Sequence, residues 1–160
     1  MPELKKVTLR FDPAEDRICM MAEPRDNKPI LFWLTMRICR QLVPLLCGHL
    51  ERTTPKKPVI SHEIQLSCMQ REAEWKFQSS KPVEMAGDSS MVTPSRIDYT
   101  FDGEVTALSF PVEGAQNVDL KLSLLELRQF LALLHRLFQR AGWPMDVWPA
   151  WFTVASPAAN

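Results

Sequence analysis

Residues 32–52 and 120–140 read as two versions of one strand-to-helix segment, and this duplication constrains the fold more than any other feature of the chain. With Leu122 set against Leu34, the residues Leu34, Arg40, Gln41, Leu45, Leu46 and Arg52 fall on the identical Leu122, Arg128, Gln129, Leu133, Leu134 and Arg140. Thr35 falls on Ser123, both suited to cap a helix N-terminus, and the apolar heptad Met36, Cys39, Val43, Leu46, Leu50 falls on Leu124, Leu127, Leu131, Leu134, Phe138. Any two amphipathic helices share leucine spacing, but that does not account for Arg40-Gln41 recurring as Arg128-Gln129. Upstream, Val7, Leu9, Phe11 and Asp12 correspond to Ile97, Tyr99, Phe101 and Asp102 once a small slip is allowed in the loops. Both stretches alternate apolar and polar residues and end in a turn, as half-buried strands do.

The expected fold is therefore α+β: two pseudo-symmetric strand-strand-strand-helix units, about 5–52 and 96–142, forming an antiparallel sheet or two packed sheets, with a middle helix between them. In the first unit the strands fall at about 5–11, 17–23 and 29–34, separated by Asp12-Pro13 and by Pro24-Arg25-Asp26-Asn27. Thr35 caps a helix of about 36–51, in which Pro44 and Gly48 predict a kink or an early end. Leu66, Met69, Ala73 and Phe77 give a middle helix of about 62–77, although Ile60, His62, Ile64 and Leu66 also alternate like a strand. Residues 78–95 have the composition of an exposed, poorly ordered connector. The second unit has strands at about 96–101, 104–110 and 118–122, with a type I′ turn expected at Asp102-Gly103. Ser123-Leu124-Leu125-Glu126 is a capping box opening a helix of about 124–141, which Gly142 and Pro144 stop.

At 160 residues the chain is expected to be a single domain, 1–160, long enough to bury a core without staples. Nineteen basic residues balance nineteen acidic ones, so no whole-chain field draws it to nucleic acid or anionic lipid, and nucleic-acid binding is disfavoured. No apolar leader follows Met1-Pro2-Glu3-Leu4-Lys5-Lys6 and no apolar run is long enough to span a bilayer, so the chain reads as cytoplasmic, without a membrane partner. Cys19, Cys39, Cys47 and Cys68 form no Cys-x-x-Cys pair and read as free thiols.

Chemistry is sparsely encoded. Cys47-Gly48-His49 with His62, Cys68 and His135 is the one set that suggests a metal, but structural zinc needs a second clustered pair, and no metal or other cofactor is expected. The five glycines are isolated, which excludes phosphate-cradle motifs of the Walker or dinucleotide type. No acid/base pair or nucleophile signature emerges, so no catalytic residue is assigned. Arg40 and Arg128, at matching helix positions, are the candidate contacts for an anion or a partner; the ordinary alternative is that each drapes its stem over apolar surface. The tail, 143–160, crowds Trp143, Trp148, Trp151 and Phe152 between prolines, and these four are the candidate interface residues.

In the order of its elements the chain resembles the head domains of the eukaryotic end-joining scaffold proteins, without a shared motif, and no functional residue carries over. Two function classes follow from the residues. The favoured one is a non-enzymatic interaction or assembly module that self-associates, because the surplus is apolar helix face and aromatic tail. The other is a small-molecule-binding or enzymatic domain with a cleft between the two units.

Overall fold

A computed structural model describes residues 2–26, 28–85 and 87–153 of the chain. The fold is α+β, with a four-stranded and a three-stranded sheet and four helices among the described residues. Strands β1 (Leu4–Asp12), β2 (Arg17–Pro24) and β3 (Ile30–Leu34) form an antiparallel meander, and a short β4 (Ser90–Val92) adds to β3 in parallel. Strands β5 (Asp98–Asp102), β6 (Val105–Phe110) and β7 (Val118–Leu122) form the second meander. The sheets meet where Glu3 bridges Asp119 in parallel, an edge also held by Lys121 Nζ on Glu3 Oε1 at 2.6 Å.

The pairing registers of the two meanders correspond. Ile18 faces Leu34, Met20 faces Phe32 and Ala22 faces Ile30; Thr106 faces Leu122, Leu108 faces Leu120 and Phe110 faces Val118. All twelve side chains are buried. Because side chains alternate across a strand, the shared register puts the same set of positions inward in both units. Phe32 and Phe110 touch at 5.1 Å between ring centroids, which joins the two inner faces into one apolar core.

Helices α1 (Met36–Thr53) and α3 (Leu124–Ala141) follow the meanders. Thr35 Oγ1 accepts from the Ile38 amide, and Ser123 and Glu126 satisfy each other's backbone amides as a full capping box. Gly142 ends α3 in the left-handed conformation at φ 71°. Of the kink or early end expected in α1, the early end does not occur: the helix runs through Pro44 and Gly48 to Thr53. Pro44 lies on the exposed side, where water can take the Arg40 carbonyl that proline leaves without a donor. The internal match in sequence does not carry through to burial. Leu46 and Leu134 are both buried, but Leu45 is 39% exposed whereas its counterpart Leu133 is half-buried.

Two further expectations change. The tight turn between β5 and β6 is centred on Gly103 and Glu104, since Asp102 pairs with Val105. Gly103 has φ +60° and Glu104 has no positive φ, which is the type II′ pattern and not type I′. Segment 78–95 is mostly exposed, as expected of a connector, but it is anchored to the first sheet. Val83 is buried against Cys19, Met21 and Leu31 on the outer face of the first sheet, its amide donates to Thr8 Oγ1 at 3.0 Å, and Lys28 pairs with Asp88. The physical reason lies in β2, where Ile18, Cys19, Met20, Met21 and Ala22 are consecutive apolar residues, so both faces of the strand need cover.

Candidate functional site

Helix α2 (His62–Trp75) lies across α3 and the single turn α4 (Ala150–Thr153). The middle segment is a helix from His62 onward, which settles the strand-like alternation at its start. Its inner face is polar where it meets α3. Gln70 Nε2 donates to the Arg128 carbonyl at 2.8 Å, and Gln129 Nε2 donates to the Ala73 carbonyl at 3.0 Å. Side-chain amides thus clamp the two helices through carbonyls that already belong to helical turns. The outer face carries Ile64, Cys68, Arg71 and Trp75, spaced four, three and four residues apart, so that they form one stripe. Ile64 is 55% exposed and Trp75 is 90% exposed, with Phe77 and Ile60 exposed beyond the two ends.

The tail aromatics occupy the opposite kind of environment. Trp143, Trp148 and Trp151 are buried within the chain itself, and Phe152 is half-buried. Trp143 packs edge-on against Phe11 and Phe138, and its Nε1 donates to Asp16 Oδ1 at 3.2 Å. Trp148 packs against Phe138 and His135, while Trp151 Nε1 donates to Glu51 Oε2 at 2.9 Å. The prolines turn the chain back over α3 instead of outward, so burial of these rings needs no second copy. Residues 154–160 of the tail lie outside the described residues.

The two matched arginines have different fates. Arg40 is partly exposed and grips Asp146 in a fork, Nη1 to Oδ1 at 2.7 Å and Nη2 to Oδ2 at 3.0 Å, which pulls the Asp146 carboxyl below its usual range. Arg128 is 4% exposed and has no carboxylate in ion-pair reach among the described residues. Its Nη2 donates to Thr54 Oγ1 at 3.1 Å and lies 4.0 Å from Met69 Sδ, while Nη1 has no acceptor. Desolvation lowers the affinity of Arg128 for its proton, yet a guanidinium stays charged at any ordinary pH. Sequence alone gave the two residues equal standing, because what separates them is the carboxylate at Asp146 and its absence beside Thr54.

Thr54 caps the end of α1. Its amide donates to the Leu50 carbonyl at 3.1 Å and its own carbonyl accepts from His62 Nε2 at 2.9 Å. It forms part of the wall of a notch of about 430 Å³ lined by Glu51, Arg52, Thr54, Pro55, Lys56 and His62. Sequence reading missed this notch, for which the Lys- and Pro-rich run 53–60 was the available signal. Of the residues weighed as metal ligands, Cys47 and His49 are buried in α1, Cys68 is exposed on α2, and His62 and His135 are half-buried. Burial pushes the Cys39 thiol up to about 12 and raises that of Cys47 as well. Among the described residues, no three His, Cys, Asp or Glu side chains converge as a metal site would require, and no helix is long and apolar enough to cross a membrane. In comparisons with known proteins, no family model, no curated protein and no solved structure matches the chain.

Proposed function

We propose that this chain is a non-enzymatic assembly module that self-associates through the outer face of α2. The observation that carries the reading is Trp75, which is 90% exposed at the end of a stripe that also holds Ile64 and Cys68. A large aromatic left in water is costly, and exposed apolar stripes on helices mark contact surfaces. The occupant is a second copy, because the stripe is self-complementary. In an antiparallel pair that sets Ile64 against the partner's Trp75, the same contact recurs at the other end, so both exposed apolar ends of the stripe are covered. A twofold axis perpendicular to the helix produces that arrangement, and twofold dimers are the commonest oligomers.

The contact is small, a 14-residue helix with Ile60 and Phe77 at its ends, so the association is weak and concentration-dependent. Light scattering of the full chain over a wide concentration series tests it. The mass rises towards that of a dimer for the native sequence and stays at 18.4 kDa for Trp75→Ser. A native chain that is monomeric at every concentration defeats the proposal.

A further inference from the structure

The outer residues of β2, Cys19 and Met21, form with Leu31 of β3 and with Val83 an apolar cluster separate from the main core. The pairing register sets Thr8, Met21 and Leu31 in one row across the sheet and Arg10, Cys19 and Trp33 in the next. Residues 81–85 lie over this face: Val83 is 6% exposed and Met85 packs beside it, while Lys81, Pro82 and Glu84 are exposed. The polar attachments of this stretch are few. Lys6 Nζ donates to the Lys81 carbonyl at 2.6 Å, and the Val83 amide donates to Thr8 Oγ1 at 3.0 Å. Both partners are side chains of β1, and no backbone-to-backbone hydrogen bond joins residues 81–85 to a strand among the described residues. One buried valine, one half-buried methionine and two hydrogen bonds hold the stretch, so it can leave without breaking a strand pairing.

We propose that residues 81–85 are a detachable strap, which opens as a local unit while the sheets and helices stay folded and which shields the Cys19 thiol when closed. Burial, opposed by Arg10 and reinforced by Asp12, raises the Cys19 thiol above its usual range, so the closed strap keeps it protonated and unreactive. Opening returns it to water. Cys39 and Cys47 belong to α1 and the main core, which only a larger unfolding uncovers. The outer stripe of α2 takes no part, so the strap and the self-association can fail separately.

The experiment is labelling of the full chain with iodoacetamide, each cysteine followed by peptide mass mapping, in a series of urea concentrations below the unfolding transition. Cys68 labels first, Cys19 next, and Cys39 and Cys47 last. Labelling of Cys19 depends weakly on urea and that of Cys39 and Cys47 steeply, because opening the strap exposes little surface and unfolding the core exposes much. Val83→Ala speeds Cys19 by about tenfold, the effect of removing two buried methyl groups from the one fully buried side chain of the strap. Leu134→Ala, in the main core, speeds Cys39 and Cys47 and leaves Cys19 unchanged. Hydrogen exchange of the Val83 amide, read by NMR, gives the same protection as the Cys19 thiol, since one opening frees both. A Cys19 that labels with the rate and urea dependence of Cys39 and Cys47 overturns the proposal. So does a Val83 amide whose protection differs widely from that of Cys19, which would mean that the thiol is reached by another motion.

Discussion

The imidazole of His49 lies flat on the ring of Phe101, with centroids 3.8 Å apart and planes 2° from parallel. One ring comes from α1 and the other from β5, so the stack ties the first helix to the second sheet. His49 is buried with no partner for Nε2, and burial, reinforced by Arg52, lowers its pKa below the ordinary 6.5. His135 is lowered for the same first reason, with Arg136 adding to it.

A lowered histidine pKa makes acid destabilising. The unfolded chain takes up the proton near 6.5 whereas the folded chain resists it, so stability is full above that value and falls as pH drops from it towards the native pKa. The carboxylates Glu3 and Asp146, lowered from 4.5 and 3.8, contribute losses only at more acidic pH. Urea melts at about pH 7 and about pH 5 therefore show lower stability at the acid end, and His49→Phe, which keeps a ring on Phe101, shows a shallower dependence. Equal slopes for the variant and the native chain would contradict this account of His49.

Leu134→Ala should cost about 2–5 kcal/mol, the usual loss for a leucine emptied from a packed core. Leu134 is 1% exposed, whereas Leu45 is 39% exposed. Leu45→Ala should accordingly lie within roughly 1 kcal/mol of the native chain, as substitutions at surface positions generally do. Equilibrium denaturation of the two variants side by side checks both values.

The buried tail rings make the C-terminal segment part of the fold. Trp151→Ala should cost about 3–5 kcal/mol, as large aromatic truncations in cores do. Truncation before residue 147 should remove cooperative unfolding, because it uncovers Phe138 and His135 as well as deleting Trp148 and Trp151. A truncated chain that melts as sharply as the full one would show that the tail is dispensable. By contrast, Asp146→Asn removes a pair whose carboxylate is 68% exposed, and it should leave the unfolding transition nearly unchanged.

Thiol chemistry separates the four cysteines. With Ellman's reagent under native conditions one thiol, Cys68, reacts quickly, since Cys19, Cys39 and Cys47 are buried. Cys68→Ser should abolish the fast phase. A second fast thiol would mean that α1, or the cover over Cys19 in β2, opens readily.

Much of the layout is legible in the sequence because it rests on local chemistry. The caps at Thr35 and Ser123, the stop at Gly142 and the alternation in β6 and β7 each follow from a few neighbouring residues. What escaped reading depends on residues far apart in the chain. Val83 folds onto the outer face of the first sheet because β2 is apolar on both faces, a signal present in Ile18–Ala22 but unassigned to any partner. The aromatic tail advertised burial without saying against what, and its rings turn out to cover α3. Arg40 and Arg128 were indistinguishable until Asp146 and Thr54 were placed beside them.

The most direct test of self-association through α2 is substitution within the stripe, read by sedimentation equilibrium. Ile64→Lys sets a charge against the partner's Trp75 at both ends of the proposed antiparallel pair and should shift the chain to monomer, whereas Leu45→Lys, at an exposed position of α1, should leave the dimer intact. A folded Ile64→Lys chain that associates as well as the native one, or a native chain that is monomeric at every concentration, would contradict the proposed pairing.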